Sequence, residues 1–313
     1  MFEIIRYSAD RKAEWDAFVE SSKNGTFLFF RNYMDYHSDR FDDHSLMFRM
    51  KNKLYAVLPA NVKDGTLYSH QGLTYGGLVT DRNTKAAEVC ALFAEMNAYL
   101  KSCGIRKVVY KALPWIYHSL PAEEDLYAIF RNCDARLLSR DISSTIILTE
   151  KPRFSELRRR CLRKAEKSGV TVRESDDIAA FWHILDRNLE NKYGVKPVHT
   201  CDELRLLMSR FPHNIRLYMA FRGDEPLGGT LLFVNRGIIH TQYISASPEG
   251  KRLGALDILF DELINRVADG FRYFDFGKST EQWGAYLNEN LIRQKEGFGG
   301  RGVCYDTYEW NIG

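Results

Sequence analysis

The chain has 313 residues, of which 45% are apolar and 27% charged, with a net charge of +3. This is the composition of a folded globular protein; it excludes an extended disordered tract and gives no argument for nucleic acid by net charge alone. No run approaches the roughly 20 apolar residues that span a bilayer, and Met1-Phe-Glu-Ile-Ile-Arg6 lacks the pattern of a secretory leader, so a cytoplasmic protein is expected. At roughly 100–200 residues per domain the length predicts two domains. The six cysteines (90, 103, 133, 161, 201 and 304) include no Cys-x-x-Cys pair and the eight histidines no His-x-x-x-His, so reduced thiols and no metal site are expected.

In chain order, Trp15, Phe18 and Val19 recur at helical spacing and predict a helix over 10–21. Strands are expected at 44–50, 53–62, 65–69 and 74–79, with turns at Lys51-Asn52 and Lys63-Asp-Gly65. A long helix over 84–102 ends at Gly104 and leads into a strand over 105–110, a helix near 123–132 and a strand near 136–148. Thr149-Glu-Lys-Pro-Arg153 is polar around a proline and is expected to link the domains, giving 1–148 and 153–313. Beyond it come helix 154–168, strand 169–174, helices 177–192 and 202–210, strands 214–222, 226–235 and 238–245, helix 254–269, strand 272–276 and a last strand near 303–310. Each half runs from helices through an antiparallel meander to a long helix and a strand, which predicts an α+β duplication without a residue-level repeat.

Several segments carry chemistry-bearing residues. Helix 154–168 places Leu157, Cys161, Leu162 and Ala165 on one side and Arg160, Arg163, Lys164 and Lys167 on the other. The basic side reads either as a solvated face or as a contact for phosphate on a substrate, a cofactor or RNA. Ser247 to Gly254 reads as a polar turn between a strand and a helix, hence either an ordinary helix start or an anion-binding turn. The next strand delivers Asp275, a loop anchor or a general base, and Lys278. Lys295 in Gln294-Lys-Glu-Gly-Phe-Gly-Gly-Arg301 is expected in a Gly-rich loop, where a cation can stabilise an oxyanion or bind phosphate. Ser69-His-Gln-Gly-Leu-Thr-Tyr-Gly-Gly77 reads as a strand connection or a substrate-lining loop. Asn188 to His199, with Lys192, Tyr193, Gly194 and Pro197, reads as a helix end. No Walker loop, dinucleotide fingerprint or Ser-His-Asp order occurs.

These segments together resemble the two-domain branch of the Gcn5-related N-acyltransferases (GNAT), which includes the FemAB-type peptidoglycan-bridge aminoacyltransferases. The resemblance covers most of the chain. It rests on Trp15-Asp-Ala-Phe18, Gly25-Thr-Phe-Leu28, Leu58-Pro59, Leu73-Thr-Tyr-Gly-Gly77, the basic helix before Gly169-Val-Thr-Val172, Lys192-Tyr-Gly194, the 238–276 block, and Lys295 with Phe298-Gly299.

The resemblance implies two tandem GNAT-like domains, each a mostly antiparallel mixed sheet flanked by helices, the first on the acceptor side and the second on the acyl-donor side. It implies an N-acyltransferase that moves an acyl group from acetyl-CoA or another acyl-CoA to an amine of a small molecule or cell-wall precursor. The alternatives it leaves are aminoacyl-tRNA as donor and a non-catalytic ligand-binding module. It assigns Lys295 to the oxyanion or leaving group, Asp275 to a base or orienting duty, and Lys251, Arg252, Leu253, Gly254 and Ala255 to donor phosphate. Tyr75, Gly76, Tyr243, Lys278, Arg160 and Arg163 are then expected to contact substrate. The phosphate segment departs from the family's Arg/Gln-x-x-Gly-x-Gly/Ala pattern, ending in Leu256, and Gln294 replaces the aromatic that precedes the lysine in bridge-forming relatives.

Overall fold

A computed structural model describes residues 1–193 and 196–313, without the side chains of 191–193. The chain forms two compact units, one of residues 1–141, 281–286 and 304–313, the other of 142–280 and 287–303. The chain thus changes unit inside strands as well as near the expected linker, and the C-terminal ten residues go with the first unit.

The first unit contains β1 (Glu3–Arg6), α1 (Lys12–Ser21), α2 (Arg31–Met34), β2 (Asp42–Asp43), β3 (Leu46–Met50), β4 (Lys53–Leu58), β5 (Asn61–Lys63), β6 (Thr66–Tyr68), β7 (Val79–Thr80), α3 (Ala86–Ser102), β8 (Lys107–Lys111) and α4 (Glu124–Asn132). Strands β1-β3-β4-β7 form an antiparallel sheet. Helix α3 buries Val89, Leu92, Phe93, Met96 and Leu100, spaced to share one stripe, in a core with Tyr110 and Trp310. The single strand expected over 53–62 is two, because Pro59 has no N–H to continue a ladder. The strand expected at 74–79 is mostly loop. A Cβ at Gly76 would lie 1.8 Å from the Ser69 carbonyl oxygen, so close backbone packing replaces pairing there, and only Val79–Thr80 joins β4.

The second unit begins within β9 (Arg136–Ile147) and continues through α5 (Glu156–Lys167), β10 (Val170–Ser175), α6 (Ile178–Tyr193), α7 (Cys201–Arg210), β11 (Ile215–Arg222), β12 (Glu225–Asn235), β13 (Ile238–Ala246), α8 (Pro248–Leu253), α9 (Ala255–Glu262) and β14 (Tyr273–Lys278). A hairpin, β15 (Thr280–Glu281) and β16 (Tyr286–Leu287), precedes α10 (Glu289–Gly297) and β17 (Arg301–Asn311). The sheet order is β10-β11-β12-β13-β14-β9, antiparallel except for the parallel pair β13/β14. The expected turn before Gly254 is itself a short helix, and the expected helix over 254–269 is two pieces. Ser247 accepts from the Gly250 N–H (3.0 Å) with Pro248 at the first turn, so a helix starts early. Gly254 then breaks it at φ +81, and a π-helical turn, Leu263–Val267, follows α9. The helix closure expected at Gly194 and the side chains of Lys192 and Tyr193 lie outside the described residues.

The architecture is α+β. Among the described residues no helix is long and apolar enough to cross a membrane, no group of His, Cys, Asp and Glu can hold a metal, and all six cysteines are free thiols.

Burial leaves a pH signature in the first unit. It pushes His118 down to about 4 and His70 to about 3, so both stay neutral in the fold while the unfolded chain protonates near pH 6.5. Their stabilising contribution is therefore complete above about pH 6.5 and is lost as pH falls toward 4 and 3. Asp125, raised by burial to about 6, acts in the opposite sense. Comparison with a variant isolates one group: between pH 7 and 5, wild type is expected to lose about 2 kcal/mol more in urea denaturation than His118→Gln. Equal losses would show that His118 is not held neutral.

Candidate active site

The second unit is organised around a divergence of two strands. Parallel β13 and β14 pair only at Ile238/Tyr273, Ile239/Phe274 and His240/Asp275. A bulge in β13 opposite Leu231/Leu232 and an irregularity in β14 after Asp275 turn the strands apart beyond that point.

The last paired rung is a polar cluster. Asp275 is 0% exposed, and its carboxylate accepts from His240 Nδ1 (2.7 Å), Thr145 Oγ1 (2.8 Å) and Ser143 Oγ. Burial pulls this carboxyl upward, but the bonds from His240, Ser143 and Thr145 outweigh it and hold it below its ordinary range. Asp275 thereby holds His240 at the last paired rung of β13 and β14.

Lys295 lies in the last turn of α10, not in a loop; Asn288 caps this helix by accepting from the Leu291 N–H (3.1 Å). The ammonium is nearly buried and donates to the carbonyls of Gly277 (2.8 Å) and Lys278 (2.7 Å) and to Ser279 Oγ (3.0 Å). All three of its donors are engaged, so it pins the free end of β14. Burial lowers its pKa to about 8, with Asp275 pulling the other way.

One cavity occupies the divergence and a second lies beside it, sharing part of its lining. One, about 530 Å³, lies between Ile244–Ala246 of β13, Phe276 of β14, Leu189 of α6 and Leu256, Phe260 and Phe298, with Lys295 in its wall. None of the described residues lining it is Asp or Glu. Phe298 stacks on Phe276 (5.8 Å) and meets Phe260 edge-on (5.1 Å), which gives it a rigid aromatic floor. The other, about 710 Å³, lies over the starts of α8 and α9 and is lined by Arg158, Lys251, Arg293 and Arg301 as well as Asp257 and Glu296. Lys251, Leu256 and Gln294 line both.

The other expected site residues are dispersed. Of 251–255, Lys251, Gly254 and Ala255 line the cationic cavity. The Lys251 ammonium donates to Asn188 Oδ1 (2.9 Å), Arg252 pairs with Glu249 (2.6 Å), and Leu253 is core. A Cβ at Gly254 would approach the Cys161 carbonyl oxygen to 2.7 Å, so this glycine is required by packing of α9 on α5. Leu256, where the family pattern has a small residue, lines both cavities. Tyr243 is half-buried, packed edge-on against Trp182 (5.5 Å) and bonded to His199 Nδ1 (2.7 Å), and its partial burial raises its hydroxyl to about 12. The Lys278 carbonyl receives Lys295. In the first unit, Tyr75 is core, packed on Tyr117 (4.5 Å) and Phe29 (5.9 Å), beside the close-packed Gly76. Arg160 is exposed, and Arg163 pairs with Glu156 (3.1 Å).

Helix α5 also differs from its expected faces. Leu157 is 49% exposed and borders the cationic cavity, whereas Arg158 turns inward to Asp257 (2.9 Å) and over the Phe298 ring (5.4 Å). Burial raises Asp257 to about 6 against the pull of Arg158. Sequence reasoning missed Arg158, Asp257 and His240. The alternation Ser143-x-Thr145 opposite Asp275 was the available signal for the buried cluster; nothing in the spacing ties Arg158 to Asp257.

Residues 154–284 match the family model described as an acetyltransferase (GNAT) domain. Among solved structures, the chain is similar to FemX (TM-score 0.66, 13% identity, covering 97% of this chain and 96% of that one). It is also similar to L-PGS from Bacillus licheniformis (0.64, 13%, 98% and 93%) and to a tandem GNAT protein from the clavulanic acid biosynthesis pathway (0.53, 13%, 100% and 99%). No curated protein matches its sequence. Identities this low speak to fold: the chain has the two-domain, FemAB-like form of the GNAT fold, and the match to the acetyltransferase (GNAT) domain model lies in its second half.

Proposed function

We propose that the second unit transfers an acyl group from acyl-CoA to an amine. The observation that carries this reading is a pair of cavities that share Lys251, Leu256 and Gln294: an apolar one of about 530 Å³ at the β13/β14 divergence that suits an acylated pantetheine arm, and a cationic one beside it that suits phosphate. Lys251 and Arg293 are the residues we assign to donor phosphate. An aminoacyl group would bring an ammonium into a cavity whose described lining offers two lysines and no carboxylate, which favours an uncharged acyl group.

In the proposed reaction a neutral acceptor amine attacks the thioester carbonyl; the C–N bond forms, the C–S bond breaks, and the amine proton passes to the departing thiolate or to solvent. The main chain of β13 beyond His240, released from pairing with β14, supplies N–H donors for the oxyanion. Lys295 fixes the mouth of the cleft and keeps a positive charge beside it. The His240–Asp275 cluster keeps the strands in register up to the point where they part.

A second reading, an aminoacyl-tRNA donor and a cell-wall-precursor acceptor, is favoured by Leu256 at the small-residue position and by the exposed basic side of α5. Calorimetric titration separates the two. On the first reading acetyl-CoA and CoA bind, Lys251→Gln weakens both several-fold, and the loss shrinks as salt rises. Binding of aminoacyl-tRNA with no response to CoA would favour the second.

Lys295→Ala strips Gly277 and Lys278 of a donor, so it is expected to lower stability by about 2 kcal/mol and the transfer rate by about 100-fold. Denaturation and single-turnover measurements check both. An unchanged denaturation midpoint with an unchanged rate would reduce Lys295 to a dispensable contact.

A further inference from the structure

We propose that the second unit has a separate binding site for a small organic anion, a carboxylate or phosphate monoester bearing a short apolar group, in the cavity between the segment entering α5 and the π-helical turn after α9. This site is independent of which acyl donor the enzyme uses. The cavity, about 350 Å³, is large enough for a ring or short chain with one anionic group. Its floor is apolar, formed by Ile146, Phe154, Leu162, Ile264 and Phe298, and its rim carries Lys151, Arg153 and Arg159 against one carboxylate, Asp261.

The polar groups are arranged for a ligand more than for the fold. Arg153 is exposed and makes no hydrogen bond or ion pair among the described residues; its charge is felt by Glu156. Arg159 pairs with Glu156 through one terminal nitrogen (2.5 Å), while its Nε is shielded from solvent with no hydrogen-bond partner. A buried donor left unpaired costs about 1–3 kcal/mol, a cost that an anion accepting from it would remove. Asp261 accepts from the amide of Asn265 (2.9 Å), which also lines the cavity, so part of its acceptor capacity is occupied.

The π-helical turn shapes the site. The Ala268 N–H bonds five residues back to Leu263 (2.8 Å), and the Ile264 carbonyl accepts from the Lys151 ammonium (3.1 Å). That contact draws Lys151 to the cavity wall and leaves two of its donors for other partners. Phe298 is a wall of both this cavity and the acyl cavity, yet the rim cations here belong to neither donor cavity.

Methyl-resolved NMR of the full chain, titrated with phenyl phosphate and, as the neutral counterpart, benzyl alcohol, tests the site. Phenyl phosphate is expected to shift the Ile146, Leu162 and Ile264 methyl signals saturably. Its affinity should exceed that of benzyl alcohol at least tenfold and fall at least fivefold in Arg153→Gln and Arg159→Gln. Because Arg153 supports no contact in the fold, its variant reports on binding alone. Shifts that do not saturate, that are unaffected by Arg153→Gln, or that appear only at Leu185, Leu189 and Ile244 of the acyl cavity would overturn the proposal.

Discussion

The parting of β13 and β14 after three rungs is the constraint on which the site depends. A parallel ladder satisfies its own amides and carbonyls; once it opens, each released group needs another partner. Here the solution is asymmetric. On β14, Lys295 reaches from α10 to take the carbonyls of Gly277 and Lys278, and the Asn288 N–H bonds the Ser279 carbonyl (2.9 Å). The space itself is kept open by large side chains from α9, β14 and the residue after α10, Phe260, Phe276 and Phe298, whose mutual packing prevents collapse of the cleft.

The polar rung at His240–Asp275 makes that opening sharp. A fully buried carboxylate is tolerated only when several donors converge on it, and three side chains do so. Removing any one leaves the charge under-solvated, so the cluster defines a fixed point from which the strands separate. Arg158 and Asp257 perform a similar service beside the cationic cavity, fastening α5 to the start of α9 so that this cavity has a stable wall.

Helix α3 was legible from sequence because its buried residues recur at helical spacing, and α6, β11, β12 and β13 also lie close to their expected positions. What was not legible depended on contacts distant in the chain. The segment 74–79 has a strand-like composition, but Gly76 and Gly77 fold it against Ser69 and Tyr110. Pro248 to Gly254 reads as a turn because it is short and polar, yet one cap from Ser247 is enough to make it a helix. Lys295 was identified as a residue of interest while its setting was misread, since Gly297, Gly299 and Gly300 mask the helix just before them. The aromatic floor, drawn from α9, β14 and the residue after α10, has no signature in local spacing.

The central claim is that an acyl donor enters where β13 and β14 separate. A crystal structure of the chain with a non-hydrolysable acetyl-CoA analogue tests it most directly. The account predicts the acyl carbonyl between Ile244–Ala246 and Phe276, with the diphosphate near Lys251 and Arg293. An analogue bound with its acyl end elsewhere in the chain, or side chains of Leu256 and Phe298 closed over an empty cleft at saturating analogue, would contradict it.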